Sequence, residues 1–155
     1  MSHFYFDSSA LVKRYLTEVG SAQVLRITNP TTTNTITLAE ITQVEVAAAV
    51  ASRHRASGGI TRLERDGAVD LLARHCKTEY KLIAISPAII DRAVILTQSY
   101  RLRGYDAIQL ATALATNEVL ITAGLPGLTF IAADDDLLAA AQSEGLAADN
   151  PNHYL

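Results

Sequence analysis

The sequence predicts an α/β sandwich: a central, mainly parallel sheet flanked by helices. Short apolar runs, beginning with HFYF at residues 3–6, alternate with stretches whose apolar residues recur at helical spacing. Strands that alternate with helices in this way imply a largely parallel sheet covered by the helices. Acidic residues recur where a strand hands over to a helix, the edge at which such sheets carry functional sites.

The elements follow in order. His3 to Phe6 read as an aromatic-rich strand, and Asp7, Ser8 and Ser9 lead into a helical pattern at Ala10, Leu11, Lys13 and Arg14. Residues 18–28 read as a helix with Val19, Ala22 and Leu25 on one side, and NPTTTNT (29–35) as a polar loop. A short strand is expected at 36–38, then a long helix over 39–56 that ends at SGG (57–59), where glycine supplies a left-handed cap. Another helix is expected over 62–77, then a strand at 81–86, with Pro87 opening a helix to about residue 100. A further helix covers about 105–116, while EVLITAG (118–124) fits either its extension or a strand. LTFIAAD (128–134) reads as a strand, followed by a helix to about residue 144, and 145–151 can add a short edge strand.

At 155 residues the chain has the size of one domain and can bury a real core, so a single domain over 1–155 is expected. The one cysteine, Cys76, excludes an intrachain disulfide and points to a reducing, cytoplasmic setting. No run approaches the roughly 20 apolar residues of a membrane span, and a strand begins with no basic leader before it, so neither membrane nor signal peptide is expected. A net charge of −3 argues against unaided binding along a nucleic-acid backbone, but not against nucleic acid held through a metal.

Four acids are candidates for a site. Asp7 ends the first strand; a buried carboxylate needs a partner, so Asp7 either caps the helix or faces a cleft. Asp134 comes first in the triple DDD and lies nearest the strand, whereas Asp135 and Asp136 suit a helix's first turn. On the long helix, Glu40 fits a capping box with Thr37, while Glu45 falls on the alanine-rich inward face with Ile41, Ala48 and Ala49. Asp106 precedes the apolar stripe Ala107, Leu110, Ala111 and Leu114, and could equally be a cap completed by Gln109. Four carboxylates at one crevice repel unless a cation sits among them. Oxygen ligands without sulfur or imidazole favour Mg²⁺ or Mn²⁺, ions that neutralise phosphate charge and activate water. The residues therefore point to metal-dependent phosphodiester cleavage.

These stretches resemble the PIN-domain family, in particular the VapC-type ribonuclease toxins of VapBC toxin–antitoxin modules. The resemblance rests on FYFDSSALVKRY, ITQVEVAAAVASRHR, RGYDAIQLATAL and FIAADDDLLAAA, in that order along the chain. It implies Asp7, Glu45, Asp106 and Asp134 as catalytic metal ligands, Mg²⁺ or Mn²⁺ as cofactor, RNA as substrate, a homodimer and a small antitoxin partner. Two features depart from the pattern. Ala132 stands where many members carry Thr or Ser, and Glu40 competes with Glu45 for the second acid. A non-catalytic PIN-like domain that binds RNA or protein is the alternative. An aspartyl-phosphate phosphatase is disfavoured because Ser9 stands where a second Asp would be needed.

Other residues have simpler readings. Ser8 and Ser9 lack a base and suit capping or support of the acids. His3, His54, His75 and His153 lack metal-ligand spacing and read as surface or strand residues, and Cys76 as packing. Arg53, His54 and Arg55 complement a helix end or contact RNA. Arg101 and Arg103 precede Asp106 and could meet phosphate or its carboxylate. Tyr100 and Tyr105 suit core packing or base stacking.

Overall fold

The architecture comes from a computed structural model that describes residues 1–154. Five strands form one sheet in the order β3-β2-β1-β4-β5: β1 (His3–Phe6), β2 (Thr35–Ala39), β3 (Tyr80–Ile83), β4 (Thr129–Ile131) and β5 (Ala147–Asp149). Every pairing is parallel, with Phe4 opposite Ile36 on one side and Thr129 on the other. The helices are α1 (Ser8–Leu11), α2 (Ser21–Ile27), α3 (Thr42–Arg55), α4 (Arg62–Thr78), α5 (Pro87–Ser99), α6 (Gly104–Thr122) and α7 (Asp135–Ser143).

Alternation along each strand splits the core into two layers. Tyr5, Ala39 and Phe130 face a cluster built with α5, α6 and α7; Phe6, Leu38 and Ile131 face one built with α1 to α4. Tyr5 and Phe130 stack with centroids 5.5 Å apart, fixing β1 against β4. Chain connections run one way from β1 to β2 and the other way to β4, so the strand order reverses between β1 and β4. A crevice opens outside the carboxyl ends of strands at such a point. Asp7 and Asp134 lie there, one residue past β1 and three past β4.

The expected order of elements matches the structure, and the boundaries teach something where they move. The long helix starts at Thr42 rather than 39, because Thr37 and Ala39 are consumed by β2. Thr37 is buried between β1 and β3, so the expected capping box with Glu40 does not form. EVLIT continues α6 to Thr122. After α3, Gly58 takes a left-handed φ of +69°, and a Cβ on Gly59 would lie 1.7 Å from the Arg53 carbonyl oxygen, so no other residue fits.

Candidate active site

Asp7 is 3% exposed. Its backbone N–H bonds to the Ile131 carbonyl, extending the β1–β4 ladder by one residue and fixing where its side chain starts. The carboxylate caps α1, accepting from the Ala10 N–H at 3.0 Å and from Ser9 Oγ at 2.7 Å. Ser9 Oγ in turn accepts from the Ala133 N–H at 2.9 Å, tying Asp7 to the turn before Asp134. Asp7 therefore caps α1 from the carboxyl end of β1. Burial pushes its pKa up to about 7, opposed by the bonds from Ser9 and Ala10, and the nearby charges of Asp106 and Glu45 push the same way as burial.

Glu45 lies in the first turn of α3 and is half-buried. Ser8 Oγ donates to one carboxylate oxygen at 3.2 Å and Gln109 Nε2 to the other at 2.9 Å. Gln109 is the functional-site neighbour that sequence reasoning missed. Instead of completing a box with Asp106, it is 1% exposed in α6, accepts from Tyr5 Oη at 2.6 Å, and also donates to Thr42 Oγ1 at 2.9 Å. One amide thereby joins β1, the start of α3 and α6. Its partners lie 64 to 104 residues away, so no local pattern marks it.

Asp106 is not the cap of α6. Arg103 holds that position, and its backbone N–H lies near enough to the Asp106 carboxylate to lower its pKa. Burial first, then the Asp134 charge, raises the Asp106 pKa, while the Arg103 N–H and charge lower it. Asp134 is the N-cap of α7, accepting from the N–H groups of Asp136 and Leu137 at 3.0 and 3.2 Å. Electrostatic contact therefore runs in a row, Glu45 to Asp7 to Asp106 to Asp134.

A cleft of about 320 Å³ opens beside this row, lined by Arg101, Leu102, Arg103, Asp106, Asp134 and Asp136. Asp135 turns away from it, accepting from Asn150 Nδ2 at 3.0 Å. Glu40 is exposed in the turn after β2; its N–H bonds to the Ile83 carbonyl. Ala132 is fully buried, and the link to the neighbouring backbone comes from Ser9 instead. Tyr105 is 62% exposed rather than packed, and Tyr100 Oη donates to Glu144 at 2.6 Å. His75 is buried against Tyr15, not at the surface.

Residues 4–125 match the family model described as PIN domain. The chain belongs to the PIN-domain family. PIN domains are generally nucleases that use divalent metals, and the match includes Asp7, Glu45 and Asp106, with Asp134 beyond its end. A solved toxin–antitoxin complex from Klebsiella pneumoniae shares the fold, with a TM-score of 0.60 at 24% identity over 96% of this chain and 97% of that one. No curated protein matches.

The donor set can be tested against a metal. All four candidate groups are carboxylates, the hard oxygen donors Mg²⁺ and Mn²⁺ take. A nearly buried Asp7 carrying two acidic neighbours among its nearby charges has the surplus negative charge a cation would relieve. Among the described residues, no three His, Cys, Asp or Glu side chains close on one point as a finished cage. Mg²⁺ is usually held by one or two carboxylates and keeps several waters.

Proposed function

We propose that this PIN-domain protein is a Mg²⁺- or Mn²⁺-dependent endoribonuclease, the toxin of a type II toxin–antitoxin pair, acting through Asp7, Glu45, Asp106 and Asp134. The observation that carries the reading is Asp7: a carboxylate buried at the strand-order reversal, crowded by Glu45 and Asp106. Leaving such a charge uncompensated costs several kcal/mol in a core, which a folded chain tolerates where function uses it. A divalent ion held there would neutralise phosphate charge and lower the pKa of an attacking water. Asp7 and Asp134 would hold that ion from the two central strands. Ser9 holds the Asp7 carboxylate, and Ser8 and Gln109 fix the Glu45 carboxylate through one oxygen each. Burial and the Asp134 charge raise the Asp106 pKa, so it holds its proton to higher pH than a free carboxylate does.

The toxin role is supported by the shared fold with the Klebsiella toxin–antitoxin complex, and implies a small antitoxin partner. The whole chain acts as one PIN-like domain in this reading, in the cytoplasm; no helix among the described residues is long and apolar enough to cross a membrane. A homodimer is supported by exposed apolar side chains on α3 to α5, including Val44, Leu63, Val94 and Ile95, and sedimentation at tens of micromolar tests it. A mixed RNA substrate incubated with the protein in Mn²⁺, Mg²⁺ or EDTA tests the activity. Cleavage only with the ion is expected. An inert protein that binds no Mn²⁺ by calorimetry would favour the non-catalytic reading, which the open spacing of the acids also allows.

A further inference from the structure

We propose that Arg101 and Arg103 form a phosphate-binding subsite for single-stranded RNA beside the row of acids, gripping a backbone phosphate next to the one that is cleaved; this rests on the nuclease reading above. The cleft that holds them is built from opposed charges: two guanidinium groups on the segment before α6, and Asp106, Asp134 and Asp136 across it. Among the described residues five of the ten arginines have carboxylate partners, Arg14 with Glu79, Arg53 with Glu18, Arg62 and Arg65 with Asp66, and Arg92 with Glu118. Arg101 and Arg103 share a cleft with three carboxylates, yet neither lies within ion-pair distance of a carboxylate among the described residues. Arg103 is close enough only for its charge to lower the Asp106 pKa.

The physical need for such a pair is clear. A chain with net charge −3 and an acid-lined crevice repels a polyanion. Two arginines at the crevice mouth reverse that field locally, and the guanidinium fork matches two phosphate oxygens at once. Arg103 is also held in place: its backbone caps α6, with φ −71° and ψ 161°, while its side chain takes no part in the cap. The cap thus fixes where the Arg103 side chain starts, three residues before Asp106, and leaves its guanidinium free to meet a ligand. Exposure of Arg101, Arg103 and the adjacent Tyr105 leaves the approach open.

The test is binding, separated from cleavage. Fluorescence anisotropy with a 5′-labelled, mixed-sequence 12-nucleotide RNA in EDTA over a range of KCl concentrations gives the affinity and its salt slope. If both arginines meet phosphate, Arg101→Ala/Arg103→Ala loses about 1.4 from the slope of log affinity against log salt, at about 0.7 per single-strand phosphate contact. Arg101→Lys/Arg103→Lys keeps the slope but binds more weakly, because the charge stays and the fork goes. Asp7→Asn in the same assay binds at least as tightly as wild type, and in a separate assay with Mn²⁺ it cuts nothing. A slope unchanged in the alanine variant, with wild type cutting RNA normally, overturns the subsite and leaves the nuclease reading intact. A wild type that neither binds nor cuts overturns both. A shifted thermal midpoint with unchanged RNA binding assigns the arginines to charge compensation alone and also overturns the subsite.

Discussion

The two edges of the sheet handle buried charge in opposite ways. At the amino-terminal edge, Tyr80 opens β3 and anchors a closed polar chain. Arg14 Nη1 donates to Tyr80 Oη at 2.7 Å, Tyr80 and Tyr15 share a bond of 2.5 Å, and Tyr15 Oη meets His75 Nδ1 at 2.7 Å. Arg14 also pairs with Glu79 at 2.8 Å and lies over the Tyr80 ring. Burial first, then the Arg14 charge, lowers the His75 pKa, against the opposing charge of Glu79. Every polar group there has a partner. At the carboxyl-terminal edge Asp7 is just as buried, but the charges near it are acidic. Satisfied charge makes the first edge a brace. Surplus charge of one sign makes the second edge a receptor.

Removing the surplus gives the largest expected effect. Asp7→Asn keeps the α1 cap, since Asn and Asp cap about equally, but drops the charge. Cleavage of mixed RNA in Mn²⁺ is expected to fall further than the about 10–100-fold typical of losing a supporting partner of a metal ligand. Stability moves the other way. The folded-state pKa of Asp7, about 7, lies above its ordinary value of 3.8, so the folded chain binds the extra proton between those limits. Wild-type stability without metal is therefore lost as pH rises from about 4 towards 7. The thermal midpoint of Asp7→Asn in EDTA should exceed that of wild type, most clearly at pH 8, and the gap should close near pH 4. A mutant less stable than wild type at pH 8 would break the comparison.

The brace responds in reverse. Arg14→Leu strands Glu79 and the Tyr80–Tyr15 pair, and urea unfolding should show a loss of about 3 kcal/mol, the low end for breaking a buried pair because Glu79 is partly exposed. Cleavage per folded molecule should not change. Gln109→Leu sits between the two regimes. It orphans Tyr5 Oη and frees Glu45, so about 1–3 kcal/mol of stability should go, together with an activity loss that exceeds any change in RNA affinity. Ser9→Ala gives the smallest effect. Asp7 keeps its Ala10 bond, about 1 kcal/mol is lost, and cleavage falls only several-fold.

Much of this was legible in the sequence because it is local. Asp7 and Asp134 announce themselves where an apolar run gives way to a helix, and the parallel sheet follows from alternation. Local cues also misled. TLAE has the form of a capping box, yet Thr37 belongs to a strand paired on both sides, and tertiary pairing outweighs a cap worth about 1 kcal/mol. The pairing that makes Gln109, Tyr15 and His75 matter spans 60 to 104 residues, beyond the reach of any spacing rule. Arg103 was visible as a basic neighbour of Asp106, but its role as the α6 cap depends on a helix starting three residues earlier than a cap at Asp106 would place it.

The β1–β4 pairing has a consequence for synthesis of the chain. Phe4 must wait for Thr129, and Ser9 Oγ cannot accept the Ala133 N–H until the turn before Asp134 exists. Contacts so distant in sequence form late and slowly. On the ribosome, residues 1–100 can assemble β1, β2 and β3 with their helices while one half of the crevice is still missing. The row of acids is thus incomplete in a nascent chain until Asp134, the 134th of 155 residues, has been added.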